Sequence, residues 1–294
     1  MTLTKRVLFL LTLTILSACT NLRTVGGGTG SEPELSQAGF IELPQRPSQA
    51  DLRCANHSRT EWAVSVSNGV LRITLRSKSD FEDPLPFAYE RGPDRQGYRH
   101  VVQVADGWLV GFDAGEFGGG LWWFSTRGER SVQLRPPANA PVHPDDIFQA
   151  ENVRGFARHG HDLLIFMGLD HRSGRSGRVF RLVQQAGHWT LSIFAVLDAS
   201  PAGWVVDHDR ILVLTESGLW QAMTDGRSKK LHSLDVGSPY PNSMVLGREG
   251  ALYIGMRRYV LRLKGSDSDW SETWFVQSGC VKAEIRNYEC QCVQ

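Results

Sequence analysis

The sequence lacks an excess of charge of either sign. Lys and Arg together number 32, and Asp and Glu together number 31. A nucleic-acid-binding protein normally carries a basic excess or a basic stripe, and this chain has neither. We therefore expect no nucleic-acid partner.

The chain also lacks the local motifs that mark common catalytic sites. It has no G-x-S-x-G elbow, no phosphate-cradling glycine pattern followed by a helix, and no single Cys placed as a nucleophile. Asp145 and Asp146 follow His143 on a proline-rich loop, where adjacent carboxylates are more typical of a solvated turn or a helix cap than of an acid and base pair. The sequence predicts no catalytic residue and no cofactor, so enzymatic activity is less expected than binding.

Long hydrophobic runs are missing as well, and the apolar stretch at the N terminus is too short to span a membrane as a mature helix. Lys5 and Arg6 precede the apolar residues 7–16, and the stretch closes on Ser17, Ala18 and Cys19. A charged start, an apolar core and small residues are typical of a secretion signal.

The L-S-A-C ending at Cys19 resembles the lipobox of bacterial lipoproteins. The resemblance implies that residues 1–18 are a signal peptide and that Cys19 carries the lipid, palmitate included, as the first residue of the mature protein. Thr20 and Asn21 follow with no Asp of the kind that resembles an inner-membrane retention signal. The expected location is therefore the outer membrane, on its periplasmic side; an ordinary cleaved secretion signal is the alternative.

The remaining four cysteines are an even number in an oxidising compartment, which predicts up to two disulfides among Cys54, Cys280, Cys290 and Cys292. Three pairings are possible, and the sequence leaves them open. A bridge from Cys54 would join the two ends of the folded domain. Zinc is the competing interpretation, but the paired spacing of a structural zinc site is absent.

Residues 19–59 are rich in Gly, Ser, Pro and Gln and have no apolar period, so we expect a flexible tether. From Trp62 onward the chain alternates between apolar and polar residues, with an Asn68-Gly69 turn between the first two runs. Such a turn is the strongest short signal for a β-hairpin.

One pattern of about forty residues recurs along the rest of the chain. Each copy has short alternating runs separated by polar turns, which predicts a meander of antiparallel strands. The copies span residues 98–135, 153–198, 201–235 and 241–277, and their third strands align at Leu121, Val179, Leu219 and Val260.

These copies resemble β-propeller blades, and residues 241–263 look like a blade of lactonase and NHL-type propellers. The resemblance covers residues 62–277 and implies an all-β propeller of about five four-stranded blades within residues 60–294. A partial blade is expected near Trp62, an isolated strand at residues 86–90, and a closing strand at residues 281–287. Propellers host many activities, so function has to be argued from the site.

In a four-stranded blade, the hairpin between the second and third strands opens on the same face as the connection to the next blade. This face gathers polar and charged side chains beside the loops at residues 136–146 and 236–242. The residues expected to contact a partner there are Asp113, Glu116, Asp170, Arg172, Glu216, Tyr240, Arg257 and Arg258.

His159, His161, Asp162 and His171 are the most metal-like group, because residues at alternate positions of a strand point to the same side. The first three fall at a turn where the other copies also carry polar residues, and His171 is expected at the opposite end of the blade. We predict no metal site.

These observations favour a lipid-anchored, non-catalytic module that binds another envelope or periplasmic protein. It could be an inhibitor or immunity protein against a toxin or cell-wall enzyme, or a scaffold for an envelope assembly. The alternative is a propeller enzyme or binding protein for saccharide or peptidoglycan fragments. An enzyme would need inward-facing acids on first strands, which instead offer His100, Arg154, Trp204 and Ser243, and a sugar-binding module would need an exposed ring at Trp122 or Trp123.

The lipobox makes a direct prediction for Cys19. Changing Cys19→Ser should abolish incorporation of labelled palmitate and move the protein from the membrane fraction to the soluble fraction, because one thiol carries the whole anchor. Cys54→Ser is the control and should keep the label. Palmitate labelling of Cys19→Ser at the wild-type level would contradict the prediction.

Overall fold

The alternating runs fold into successive antiparallel meanders. The computed structural model describes residues 35–77, 83–137, 152–171, 174–185, 188–234, 239–266 and 269–293. The lipobox, Cys19 and most of the 136–146 loop lie outside the described residues. The described part belongs to one compact unit and is an all-β propeller.

The described chain begins with three short elements. A 3₁₀ turn at Leu35–Ala38 leads into strand β1 (Phe40–Glu42) and helix α1 (Gln49–Asn56). The side chain of Ser48 accepts a hydrogen bond from the Asp51 N–H, and Asp51 reciprocates at the Ser48 N–H. This capping box satisfies backbone donors that would otherwise be left open at the start of the helix.

The first blade is a hairpin of only two strands, β2 (Trp62–Ser67) and β3 (Val70–Leu75). Asn68 and Gly69 join them with φ angles of 54° and 72°. Positive φ at both positions suits the right-handed twist of a two-residue hairpin, and Asn-Gly adopts it readily. The predicted hairpin and partial blade are confirmed.

Four further blades each contain a four-stranded meander in which every strand pairs with the next. Blade 2 consists of β4 (Tyr98–Val104), β5 (Gly107–Asp113), β6 (Gly119–Ser125) and β7 (Ser131–Leu134). Blade 3 consists of β8 (Val153–His159), β9 (Asp162–His171), β10 (Gly174–Gln185) and β11 (His188–Leu197). Blade 4 consists of β12 (Gly203–Asp207), β13 (Arg210–Thr215), β14 (Gly218–Ala222) and β15 (Ser228–Ser233). Blade 5 consists of β16 (Ser243–Leu246), β17 (Leu252–Gly255), β18 (Tyr259–Ser266) and β19 (Asp269–Gln277).

The four predicted third-strand positions all lie in third strands. Leu121 is in β6, Val179 in β10, Leu219 in β14 and Val260 in β18, and each is fully buried. The sequence repeat therefore identified the blades in their correct register.

The innermost strands of all five blades line one central cavity. β16 packs against β2 and β12, and β8 packs against β4 and β12. Side chains from each of these five strands reach the cavity wall. The cavity is therefore the channel at the propeller axis.

Apolar side chains fill the spaces between neighbouring blades. Separate buried clusters join blades 2 and 3, blades 3 and 4, blades 4 and 5, and blades 5 and 1. The clusters form because each blade is apolar on both faces and must cover both.

The junction between blades 1 and 2 is built differently. Leu85, Phe87 and Tyr89, which are not in a strand, pack against a buried cluster of blade 2 that includes Phe112 and Phe124. The segment thus covers the side of blade 2 that faces the short first blade. The expected strand at residues 86–90 is wrong, because these side chains pack without strand pairing.

The predicted tether is also wrong from residue 35 onward. β1 pairs with the outer edge of β19, and α1 buries Leu52 and Ala55 in the core of blades 4 and 5. The polar composition of residues 35–59 does not indicate this ordered structure, because only a few apolar side chains make the packing contacts.

The two ends of the described chain are joined covalently. One disulfide links Cys54 in α1 to Cys290, and a second links Cys280 to Cys292. The bridge from Cys54 to the C-terminal segment, one of the open pairings, is present. The expected closing strand at residues 281–287 instead forms a separate hairpin of β20 (Lys282–Arg286) with β21 (Glu289–Val293).

Among the described residues, no helix is both long enough and apolar enough to cross a membrane.

The two disulfides should differ in their effect on stability. Cys54 and Cys290 are 236 residues apart, whereas Cys280 and Cys292 are 12 apart. A bridge that closes a longer loop restricts the unfolded chain more, so the double change Cys54→Ser with Cys290→Ser should lower the free energy of unfolding by about 2–5 kcal/mol.

The matched control is Cys280→Ser with Cys292→Ser, for which a smaller loss is expected in the same denaturant titration. An equal or greater loss in the control would contradict the role of the first bridge in closing the ring.

Candidate binding face at the cavity mouth

The central cavity has a volume of about 970 Å³. The side chains that the first strands were expected to turn inward, His100, Arg154, Trp204 and Ser243, all line it. A cavity of this size is within the range of small-molecule sites and accommodates a short peptide segment.

One end of the cavity carries both kinds of connection predicted to share a face. Each first strand begins where the second strand of the same blade ends, as in the pairs Tyr98 with Asp113 and Ser243 with Gly255. The hairpins from second to third strands therefore lie beside the links between blades. We call this end the mouth face, defined by the lining residues Glu61, Tyr98, Asp113, Phe117, Arg154, Tyr240, Asn242 and Arg257 and by Glu116, which precedes Phe117 in the same 3₁₀ turn.

Arg154 and Asp113 form an ion pair on one wall of the mouth. Arg154 Nη1 donates to Asp113 Oδ2 at 2.5 Å, and Arg154 Nε donates to the Pro201 carbonyl at 3.3 Å. The side chain of Asp113 is 6% exposed and that of Arg154 is 35% exposed. The carboxylate therefore lies behind the guanidinium, which faces the cavity.

A second charged cluster in the lining is built around Glu61. Its Oε1 accepts hydrogen bonds from Arg76 Nη1 at 2.6 Å and from Asn242 Nδ2 at 3.1 Å, and Arg257 Nε lies 3.9 Å from Oε2. Arg257 also donates to the Asn56 carbonyl at 2.7 Å, and its guanidinium lies 4.3 Å from the centre of the Tyr240 ring. These contacts hold the Arg257 side chain in place.

Aromatic side chains form the deeper wall. Trp204 stacks on Phe166, with ring centres 4.1 Å apart. Gly155 in β8 has φ +148°, and a Cβ there would lie 2.5 Å from Trp204 Cη2. Glycine is therefore required at this position for the indole to lie against β8.

His100 lies in the same wall. Burial lowers the pKa of the His100 imidazole, and the positive charges of Arg154 and Arg76 act in the same direction, while Asp83 and Asp113 oppose them. The neutral ring is thereby favoured.

Exposed aromatic side chains surround the mouth. Phe117 is 75% exposed, and Tyr98 and Tyr240 are each 45% exposed. Phe117 and Tyr98 line a second, shallower pocket of about 570 Å³ that shares Asp113 and Arg154 with the main cavity. Sequence reasoning missed Tyr98, because an aromatic residue in a strand pattern is usually buried, and it missed Phe117 because only the polar residues of that hairpin were considered.

The predicted contact residues divide into several groups. Glu116, Tyr240 and Arg257 lie at the mouth with their side chains exposed or half-buried. Glu216 is half-buried beside Arg175; burial raises the pKa of its carboxyl, and Arg175 and Arg154 act against that rise. Asp170 is the residue before the last of β9, next to the β9–β10 hairpin, and Arg172 lies outside the described residues.

Two of the predicted contact residues are not on the accessible surface. Asp113 is buried behind Arg154. Arg258 is only 3% exposed, and its Nη2 donates to the carbonyls of Cys280 and Val281 at 3.0 Å each. The prediction that these two contact a partner is wrong, because both are used to hold the propeller's own segments.

Neither Trp of the Trp122-Trp123 pair has a freely exposed ring; both are half-buried. Arg95 lies over the Trp122 ring at 3.5 Å, and Trp122 Nε1 donates to the Asp94 carbonyl. Trp123 Nε1 donates to Asp106, which also accepts from Trp189 of the next blade. The exposed ring that a sugar-binding module would need is not provided at this pair.

In the part of the chain that the structure describes, no three His, Cys, Asp or Glu side chains are grouped as metal ligands would be. Asp162 of the His-rich turn is paired with Arg181 at 2.8 Å.

Three carboxylates, Glu61, Asp83 and Asp113, line the cavity, although none lies on a first strand. Glu61 precedes blade 1, Asp83 lies between blades 1 and 2, and Asp113 ends the second strand of blade 2, so the search of first strands missed all three. Glu61 and Asp113 accept from arginines, and Asp83 Oδ2 accepts from the Val101 N–H at 2.9 Å. All three carboxylates are thus engaged as hydrogen-bond acceptors within the propeller.

No protein-family model matches the chain, and no curated protein does. Among solved structures, it is similar to a streptogramin B lyase, at 17% identity and a TM-score of 0.39 over 63% of each chain. It is also similar to YCF48 bound to D1 peptide, at 10% identity and a TM-score of 0.39, over 80% of this chain and 71% of that one. A virginiamycin B lyase from Staphylococcus aureus has 12% identity and a TM-score of 0.33, over 83% of this chain and 90% of that one.

His100 makes a prediction for pH dependence. Because its pKa is lowered in the folded protein, the unfolded chain takes up the proton first as the pH falls. The stability that neutral His100 contributes is therefore complete above about pH 6.5 and is lost below it.

The measurement compares the free energy of unfolding of the wild type with that of His100→Gln from about pH 7 to about pH 5. The wild type should lose up to about 1.4 kcal/mol per pH unit relative to the variant. If the difference in the free energy of unfolding between the wild type and His100→Gln stays constant across this range, the lowered pKa of His100 would be contradicted.

Proposed function

We propose that this protein is a non-catalytic binding module whose mouth face receives another protein of the cell envelope. The observation that carries the proposal is the group of exposed aromatic side chains, Tyr98, Phe117 and Tyr240, beside the half-buried guanidiniums of Arg154 and Arg257. Aromatic residues and arginine are the side chains most enriched at protein interfaces and in their energetic centres.

The rigidity of the face supports the same function. Arg154 and Arg257 are each fixed by partners on the propeller, and their neighbours come from different blades. A preorganised surface loses little conformational freedom when it binds. A binding role also agrees with a cavity whose carboxylates serve as acceptors.

The lipobox resemblance at Cys19 supports anchoring in the outer membrane with the propeller in the periplasm. An anchor of this kind concentrates a binding protein where its partner arrives. An inhibitor or immunity protein and an assembly scaffold both fit this arrangement.

The test is affinity capture from envelope extract with residues 20–294 as bait, followed by binding measurements with the purified captured protein. Phe117→Ala should weaken binding about tenfold or more, because truncation of an exposed aromatic anchor removes its contact area. Val132→Ala is the control, since Val132 is 54% exposed but lies on the outer strand β7, away from the mouth.

Equal binding by the two variants would place the interface elsewhere and contradict the proposal. Failure to capture any protein, together with turnover or binding of peptidoglycan fragments by the purified propeller, would favour the second candidate function. That candidate, an enzyme or binding protein for saccharide or peptidoglycan fragments, is favoured by the three carboxylates that line the cavity.

A further inference from the structure

The ion pairs around the mouth present their cations more than their anions. In three pairs the arginine side chain is more exposed than its carboxylate partner, and in the pair of Arg76 with Glu61 the two are nearly equal, at 23% and 25%. The three pairs are Arg154 with Asp113 at 35% and 6%, Arg59 with Glu289 at 83% and 34%, and Arg257 with Glu61 at 31% and 25%. In these pairs the guanidinium groups are therefore the more accessible charges, while Asp83 and Glu116 are exposed carboxylates nearby.

Two of these guanidiniums keep hydrogen-bond donors available. Arg154 uses Nε and Nη1 for Pro201 and Asp113, and its Nη2 makes no hydrogen bond to a described residue. Arg257 uses Nη1 for Asn56, and its Nη2 likewise has no hydrogen-bond partner among the residues described. Since Arg presents its donors in a planar fork, donors that are already oriented suit a planar anion.

The charge of the lining indicates which anion it suits. The lining carries four arginines and three carboxylates: Arg59, Arg76, Arg154, Arg257, Glu61, Asp83 and Asp113. Arg59 also pairs with Glu289 outside the lining, so the charges balance once this partner is included. A single carboxylate disturbs this balance less than a multiply charged phosphate does, which favours a ligand with one carboxylate at the mouth.

The deeper lining indicates what surrounds that carboxylate. Besides the charged groups and His100, the wall includes the apolar side chains of Val102, Phe156, Trp204 and Met244. Apolar side chains at this depth suit an apolar neighbour on the ligand.

From these observations we infer that the cavity receives a carboxylate-bearing peptide segment of the partner, an Asp or Glu side chain next to apolar residues, which is bound by Arg154 and Arg257. The inference rests on the proposed function and names the part of the partner that enters the propeller. Tyr98, Phe117 and Tyr240 at the mouth contact the partner's surface, and the cavity binds the inserted segment.

The test selects a phage-displayed random-peptide library on the immobilised protein. The peptides enriched by the wild type should carry an excess of Asp or Glu beside apolar residues. Binding of a selected peptide should weaken about tenfold or more in Arg154→Lys and in Arg257→Gln, because each loses charge-assisted hydrogen bonds. Arg154→Lys keeps a positive charge beside the buried Asp113, so the variant is expected to fold.

Arg210→Gln is the matched control, because Arg210 is also an ion-paired surface arginine, with Asp207 as its partner. Arg210 is the first residue of β13 and lies at the end of the blade away from the mouth. The control variant should bind the peptide with wild-type affinity. Unfolding curves of all three variants show whether each is folded under the binding conditions.

Several results would overturn the inference and leave the proposed function standing. One such result is a set of enriched peptides without an acidic excess. Another is unchanged peptide affinity in both Arg154→Lys and Arg257→Gln. In each case the proposed function stands if Phe117→Ala still fails to bind the captured partner. Soluble muropeptides that bind through Arg154 when no peptide does would show that the carboxylate belongs to a cell-wall fragment. Loss of both peptide selection and partner capture would remove the proposed function as well.

Discussion

Closure of the ring is the constraint on which the rest of this structure depends. A propeller needs its first and last blades to meet, and here the first blade has only two strands. The Cys54–Cys290 disulfide and the pairing of β1 with β19 tie the two ends of the described chain together. Arg258 does so as well, because its backbone N–H donates to the Thr60 carbonyl and its side chain to the Cys280 carbonyl. The segments outside the sequence repeat thus hold the first and last blades together. In a propeller with a complete first blade, strand pairing would do this.

The mouth face depends on that closure. Glu61 precedes the first strand of blade 1, whereas Arg257 and Asn242 belong to blade 5, so their contacts exist only when these blades are held together. Arg154 and Asp113 make the corresponding contact between blades 3 and 2. Each pair joins blades and also orients a guanidinium toward the cavity, so the same contacts stabilise the ring and shape the site.

The sequence was sufficient to predict the propeller because strand alternation is a local property. The third strands, the Asn68-Gly69 hairpin and the inward side chains of the first strands followed from period-two patterns and turn residues. It was not sufficient where distant segments meet. Residues 35–59 have the composition of a linker, yet Leu52, Ala55 and Cys54 pack against strands far along the chain.

The site was predicted only in part for the same reason. The shared face of hairpins and connections follows from propeller geometry, but the depth of each side chain depends on its neighbours. Arg258 and Asp113 resemble surface charges in sequence and are buried by partners that the local pattern does not reveal. Phe117 resembles a core residue, yet it is the last residue of a 3₁₀ turn, Gly115–Phe117, and its ring is exposed.

Hydrogen–deuterium exchange of the propeller with and without its captured partner tests the central claim most directly. The account predicts that binding protects the backbone amides of residues 113–118 and of Tyr240 and Asn242, which surround the mouth. The outer strands β7 and β15 should exchange at unchanged rates. Protection of those outer strands, with none at the mouth, would contradict it.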